Sequence, residues 1–217
     1  MERFKSLDPP HKGLRNALGQ LTLLAGKTKF SDHQQIEKLK KLADEVFFLL
    51  KDHTKTENEF ILKPLSEKNS TAAEPYFEDH TDIEEWENHL LESIKNLDGT
   101  QTDDHGHVIY LNLCDFQSSY LDHIDEEDVQ LEEVLQQHFT DEELIQHQIE
   151  IMKQMEFSTL LLWFKYIVPA RRTDENAQVI RNFKANAPKE AVDAVLNTIQ
   201  AELSDEEFSL LMQAIEN

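Results

Sequence analysis

Apolar residues recur at intervals of three and four over most of the 217-residue chain, which is the spacing of one helix face. Alternating strand patterns are absent, so the sequence predicts an all-α protein. The spacing indicates four long amphipathic helices, over about residues 10–25, 31–65, 76–97 and 107–137. Long helices with short connections favour an up-down-up-down four-helix bundle.

Shorter helices are predicted for the C-terminal part of the chain, over about residues 140–168, 173–187 and 188–203, with a last one after Ser204. Thr140 with Glu143, and Ser204 with Glu207, match the capping box, in which a Ser or Thr and a Glu bond back to the first turn. We interpret Ser31 with Gln34 in the same way. The predicted domains are therefore a bundle over residues 1–139 and a helical extension packed on it over residues 140–217.

Two predicted helices have an apolar stripe that is interrupted by a histidine and a glutamate four residues apart. The pairs are His53 with Glu57 and His123 with Glu127. Residues at this spacing lie on the same helix face about one turn apart, so each pair can point at one metal ion. An unpaired carboxylate in a helix core costs roughly several kcal/mol, which a multivalent cation would offset.

Two further histidines are candidates for the same site. His11 lies near the start of the first helix and His80 lies early in the third, both on apolar faces. Antiparallel packing brings them roughly level with the two His–Glu pairs. Imidazole and carboxylate ligands favour iron, zinc, manganese or copper over calcium or magnesium. Six such groups exceed the ligands of one tetrahedral zinc, so two metals bridged by two carboxylates fit the set better.

The net charge and the cysteine content limit the classes of binding partner and the cellular location that we expect for this protein. The formal net charge of −22 argues against binding nucleic acid or an anionic membrane. The longest apolar stretch, residues 160–168, is shorter than the roughly 20 residues of a membrane span. Cys114 is the single cysteine, and the N-terminus has no apolar signal core. We therefore expect a cytoplasmic protein in a reducing compartment, with a homo-oligomer left open.

The order of the candidate ligands carries a family resemblance. His11, the pair His53 and Glu57, His80, and the pair His123 and Glu127, spread over four helices, resemble the hemerythrin-like (HHE cation-binding) family. The sequence over about residues 8–150 is similar to one branch, the iron-sensing hemerythrin domain of an F-box ubiquitin-ligase subunit. No F-box or repeat segment is present in this sequence, so ligase function is not expected. Residues 163–169 and the helices beyond resemble the tail of free-standing prokaryotic members.

The resemblance implies a non-haem di-iron centre, oxo- or hydroxo-bridged, in which Glu57 and Glu127 bridge the metals and dioxygen or nitric oxide is the small ligand. Zinc or manganese would be substitutes. Oxygen-carrying members have a second histidine where this chain has Glu84, and the F-box relative uses a carboxylate where it has Thr54. We therefore predict Glu84 as the substitute ligand. Additional carboxylate would stabilise ferric iron and disfavour reversible oxygen carriage.

Three classes of function stay open at the level of sequence. The first is a non-haem di-iron protein that binds, senses or stores dioxygen, nitric oxide or iron. The second is a di-iron enzyme that reduces peroxide or nitric oxide or supports iron–sulfur repair. The third is a metal-free helical interaction scaffold. The sequence indicates no specific catalytic residue, substrate or protein partner.

Overall fold

The computed structural model describes residues 3–216, and every regular element in this range is helical, as predicted. Two of the long helices contain a π-helical segment. The elements, in chain order, are α1 (Asp8–Lys27), α2 (His33–Glu57), the π-helical segment Asn58–Leu62, α3 (Lys63–Lys68), α4 (Ser70–Lys95), α5 (Asp103–Glu126), the π-helical segment Glu127–Leu131, α6 (Glu132–His138), α7 (Asp141–Gln154), α8 (Phe157–Ile167), a 3-10 turn (Val168–Ala170), α9 (Thr173–Asn186), α10 (Lys189–Glu202) and α11 (Asp205–Glu216).

The four long helices of the predicted bundle are all present. The second runs from α2 through its π segment into α3, and the fourth runs from α5 through the other π segment into α6. α1 and α4 are the first and third. The four-helix bundle with additional C-terminal helices is therefore confirmed. Among the described residues, no helix is both long enough and apolar enough to cross a membrane.

The chain divides into two compact units, and α1 contributes to both. The first unit comprises the residues up to Asp8 and Ala17–Gln154, and the second comprises Pro9–Asn16 and the residues from Met155 onward. This division falls after Gln154, and the predicted domain boundary after residue 139 stays a prediction. α7 stays with the first unit because Leu144 is fully buried there in one apolar cluster with Leu135.

The polar stretch over residues 66–75 is not the loop that its composition predicts. α3 continues to Lys68, and α4 begins at Ser70 after a single residue, with Pro75 inside the helix. A proline there forgoes one backbone hydrogen bond. The helix forms nevertheless, because it places Ala73 and Tyr76 in the apolar core of the first unit.

Two of the three predicted capping boxes are present. Thr140 and Glu143 bond reciprocally through side chain and backbone, and Ser204 and Glu207 do the same. The prediction for Ser31 is wrong, because Asp32 caps α2. Its carboxylate accepts the backbone N–H groups of Gln34 and Gln35 at 2.9 and 3.2 Å. The helix predicted over residues 140–168 is also interrupted, since α7 ends at Gln154 and α8 begins at Phe157.

The second unit has an apolar core of its own, formed by α8 to α11. Its fully or nearly buried members are Phe164, Val168, Ala177, Ile180, Val195, Ile199, Leu211 and Ile215. The side chain of Asn176 donates to the carbonyl of Val168 at 2.8 Å, which ties the 3-10 turn to α9. In the α1 segment of this unit, a Cβ on Gly13 would come within 2.7 Å of the Ile167 side chain, so a glycine allows the close approach.

Candidate metal centre

Both His–Glu pairs lie at the start of a π-helical segment. Glu57 is the last residue of α2, directly before the segment Asn58–Leu62, and Glu127 is the first residue of the segment Glu127–Leu131. A π segment inserts one extra residue into an α-helix and is frequent at functional sites. The bundle therefore breaks its regular helical geometry twice, each time at a buried glutamate of the predicted site.

The pairs meet in the interior of the first unit, with the His80 ring between the two glutamates. The His80 Nε2 atom lies 3.2 Å from Glu127 Oε1 and 3.5 Å from Glu57 Oε2. His53 Nε2 lies 3.3 Å from Glu57 Oε2, and His123 Nε2 lies 3.3 Å from Glu127 Oε1. Each carboxylate is thus approached by two imidazole nitrogens from different helices.

The site is almost completely shielded from solvent. Glu127 is 0 % exposed, Glu57 and His80 are each 2 % exposed, and His53 is 3 % exposed. Two carboxylates at such depth need positive charge nearby, because an uncompensated buried charge costs several kcal/mol, roughly. A proton on His80 supplies some of it. Burial lowers the pKa of His80, but the hydrogen bonds to Glu127 and Glu57 outweigh it and raise the pKa to about 9.

Asn58 orients the central imidazole, a role that the sequence alone did not reveal. Its side-chain oxygen accepts the Nδ1–H of His80 at 2.8 Å, and Asn58 is the first residue of a π segment. With Nδ1 held in this way, Nε2 is the nitrogen that faces the carboxylates. A hydrogen bond of this kind fixes the tautomer and ring orientation of a metal-binding histidine. The sequence contained one indication of this role of Asn58, namely a polar residue directly after Glu57.

Two groups of side chains offer ligand atoms that lie within 4.8 Å of one another. One consists of His11, His53, Glu57 and Glu127, and the other consists of His80, His123 and Glu127. Imidazole nitrogens and carboxylate oxygens form a donor set suited to a first-row transition metal. The residues therefore fit a pair of such ions that share Glu127. Six of the seven predicted ligand residues are in these groups, and their ligation stays a prediction.

The seventh residue, Glu84, is exposed and belongs to neither group. The buried positions of α4 follow a heptad-like spacing through Ala73, Tyr76, His80, Glu87, Leu90 and Ile94. In that spacing the next inward position after His80 is Ile83, which is half-buried. Glu84 therefore lies on the exposed side of the helix. The buried carboxylate of α4 is therefore Glu87, which sequence reasoning missed.

The assignment of Glu84 as a ligand is tested directly by substitution. From the exposed position of Glu84, we expect Glu84→Ala to bind as much metal as the wild-type protein. Glu85→Ala is the matched control, since Glu85 is a neighbouring exposed acid on the same helix. Metal content and charge-transfer absorption of the two variants are compared side by side. A selective loss of one metal ion in Glu84→Ala would show that Glu84 is a ligand, as the sequence predicts.

Comparison with known proteins identifies one family. The family profile described as the Hemerythrin HHE cation binding domain matches residues 4–132. The matched range includes all the residues of both ligand groups. No curated protein and no solved structure matches this chain significantly.

Proposed function

Since the chain belongs to the family of hemerythrin HHE cation-binding domains, we propose that it holds two iron ions and binds dioxygen or nitric oxide through them. Cation binding follows from the family and from the buried His/Glu cluster. The identity of the metal, the number of ions and the small ligand are the parts of this proposal that go further.

One observation carries the proposal, namely that two buried carboxylates are each approached by two imidazoles. Glu57 lies between His53 and His80, and Glu127 lies between His80 and His123, all at 3.2–3.5 Å. The two ligand groups share Glu127 but are otherwise separate, which favours two ions over one. Bridging by Glu57 and Glu127 would offset two of the positive charges of the two ions, and histidine with carboxylate is a donor set that iron accepts.

The protein side chains have three tasks in this proposal. His53, His80 and His123 present nitrogen donors, and Asn58 fixes the orientation of His80. The apolar side chains of the bundle keep bulk water from the site, so electrostatic interactions inside it are strong. Iron, when bound, would supply the redox chemistry and the open coordination position for a diatomic ligand. A cytoplasmic location, expected from the sequence, stays a prediction.

Metal analysis of protein from iron-replete cells tests this proposal. We expect about two irons per chain, because the two ligand groups share Glu127 but are otherwise separate. Anaerobic reduction followed by exposure to dioxygen or nitric oxide should then give a stable absorption change. Steady consumption of either gas, or of peroxide, would indicate an enzyme instead. A single tetrahedral zinc in every preparation would contradict the di-iron proposal.

A further inference from the structure

Four apolar side chains of one buried cluster lie about one helical turn from the candidate metal ligands. Each is four residues along the chain from a candidate ligand, and the four are Leu7 (from His11), Ile61 (from Glu57), Tyr76 (from His80) and Leu131 (from Glu127). Three of these residues are in helical segments, whereas Leu7 precedes α1. Residues 3–7, which we call the N-terminal strap, are non-helical. The strap therefore supplies one of the side chains that close the bundle beside the centre.

Arg3 attaches the outer end of the strap to the bundle. Its guanidinium donates to Asp141 Oδ1 at 2.6 Å, and to the carbonyl oxygens of Gln136 and Phe139 at 3.0 and 2.9 Å. The side chains of Arg3 and Asp141 are 42 % and 38 % exposed. Exposed ion pairs contribute little to stability, because water replaces them readily. This end of the strap can therefore detach at a small cost in free energy.

Glu132 attaches the inner end of the strap, and it is only 5 % exposed. Its Oε2 atom accepts the backbone N–H of Ser6 at 3.0 Å and that of Leu7 at 3.4 Å, and its Oε1 atom accepts from the Gln136 side chain at 3.2 Å. These three donors are neutral, and such bonds replace only part of the hydration that a carboxylate loses on burial. Detaching the strap returns the Glu132 carboxylate to water, which offsets part of the hydrogen bonding that is lost.

We propose that the N-terminal strap is the gate through which the metal cation enters and leaves the buried centre. The gate rests on the proposed function, since it requires a metal at the centre. Lifting residues 3–7 takes Leu7 out of the apolar cluster without disturbing a helix. An opening at Ile61, Tyr76 or Leu131 would break backbone hydrogen bonds within a helical segment. The strap is thus the part of the cluster that opens most easily.

The charges at the strap favour a cation as the species that passes it. When the strap lifts, Arg3 leaves Asp141, and the amides of Ser6 and Leu7 leave Glu132. Two carboxylates then face the opening without these partners. Negative charge at the mouth of a cleft raises the local concentration of cations and speeds their association. Closing the strap covers the carboxylates again and separates the bound metal from water.

Release of iron from the full-length protein tests the gate. The protein is loaded anaerobically with iron(II) and diluted into excess bipyridine, whose coloured iron(II) complex reports the rate of release. Arg3→Ala removes three hydrogen bonds of the strap and keeps both carboxylates. We expect it to release iron about tenfold faster than the wild type, with unchanged iron content after loading. Glu132→Ala removes the inner attachment and should accelerate release as well.

Opening of the strap is measured separately, on metal-free protein. Hydrogen exchange of the Ser6 and Leu7 amides reports the loss of their bonds to Glu132, and trypsin cleavage after Lys5 requires an extended, detached segment. Both rates should rise in Arg3→Ala by a factor similar to that of iron release. Faster opening with unchanged iron release would show that the metal takes another route, and would overturn the gate.

Arg181→Ala is the matched control for the strap variants. Arg181 also donates to a backbone carbonyl, that of Ala214 at 2.6 Å, and to the Gln178 side chain at 3.2 Å, but it lies on α9 and outside the apolar cluster. Its loss should leave iron release and strap opening at the wild-type rates. Equal acceleration in Arg3→Ala and Arg181→Ala would attribute release to a general loss of stability and overturn the gate. Wild-type protein that binds no iron would overturn the proposed function itself, and the gate with it.

Discussion

Replacing Glu127 by alanine should abolish metal binding at both positions, taking the metal content from about two ions per chain to near zero. Glu127 is the one residue shared by the two ligand groups. Its Oε1 atom lies 3.2 Å from His80 and 3.3 Å from His123, so its loss removes the carboxylate that is nearest to both imidazoles. The measurement is metal content after loading and desalting, with circular dichroism as the check on folding.

Glu132→Ala is the matched control for this loss. Glu132 is also buried, lies five residues further along the same long helix, and accepts the backbone N–H of Ser6 at 3.0 Å. Its removal leaves a buried donor unpaired and should cost about 1–3 kcal/mol of stability. The metal content should nevertheless stay at the wild-type level. A Glu127→Ala protein that retained two ions would show that another group bridges the metals.

Removing the metal should lower the melting temperature by roughly 10 °C at neutral pH. Binding to the native state adds about 4 kcal/mol when the free ligand exceeds Kd about a thousandfold, and each kcal/mol shifts Tm by about 2–4 °C at this size. The physical reason is the pair Glu57 and Glu127, which are 2 % and 0 % exposed. Without a cation, a proton on His80 opposes part of their charge. Calorimetry of the metal-loaded and chelator-treated protein measures the difference.

The decrease in melting temperature on metal removal should also depend on pH, and the protonation of His80 determines the direction of that dependence. Its pKa is about 9 in the folded metal-free protein, above the ordinary value of 6.5. A raised folded-state pKa means that the protonated form stabilises the fold fully below about pH 6.5. This stabilisation falls away as the pH rises towards about 9. The gap in Tm between the two forms should therefore widen across that window.

The double variant Glu57→Gln with Glu127→Gln is the control for the stability experiment. It removes both buried charges while it keeps the side-chain volumes, so its stability should not respond to metal or to chelator. Replacing buried charges by neutral groups is often neutral or stabilising, and the variant should therefore melt above the metal-free wild type. Equal melting temperatures for the loaded and metal-free wild type would argue against buried ligation.

The sequence by itself determined the helical class and the identity of most candidate ligands. Both follow from short-range regularities, namely the three-to-four spacing of apolar residues and the i, i+4 spacing of His53 with Glu57 and of His123 with Glu127. The capping boxes at Thr140 and Ser204 were predictable for the same reason, since each depends on four consecutive residues.

The helix register beyond each glutamate was decided by the tertiary structure. Continuing the apolar stripes at α-helical spacing predicts Phe60 and Val134 as inward residues. The structure leaves these two residues half-buried and buries Ile61 and Leu135, one residue later, beyond the point where each π segment begins. The extra residue in each π segment disturbs the regular α-helical hydrogen bonding. In return it places the two carboxylates in the interior and allows the helix to pack beyond them. No local sequence rule reports that balance.

The identity of the buried carboxylate on α4 was also decided by the tertiary structure and not by the sequence. Sequence spacing made Glu84 the partner of His80, because four residues separate them on one helix. The heptad-like packing of α4 against its neighbours turns Ile83 and Glu87 inward and leaves Glu84 exposed. One helix can present several faces with similar periodicity. Which face is buried depends on the free energy of packing against other helices, which only the assembled bundle fixes.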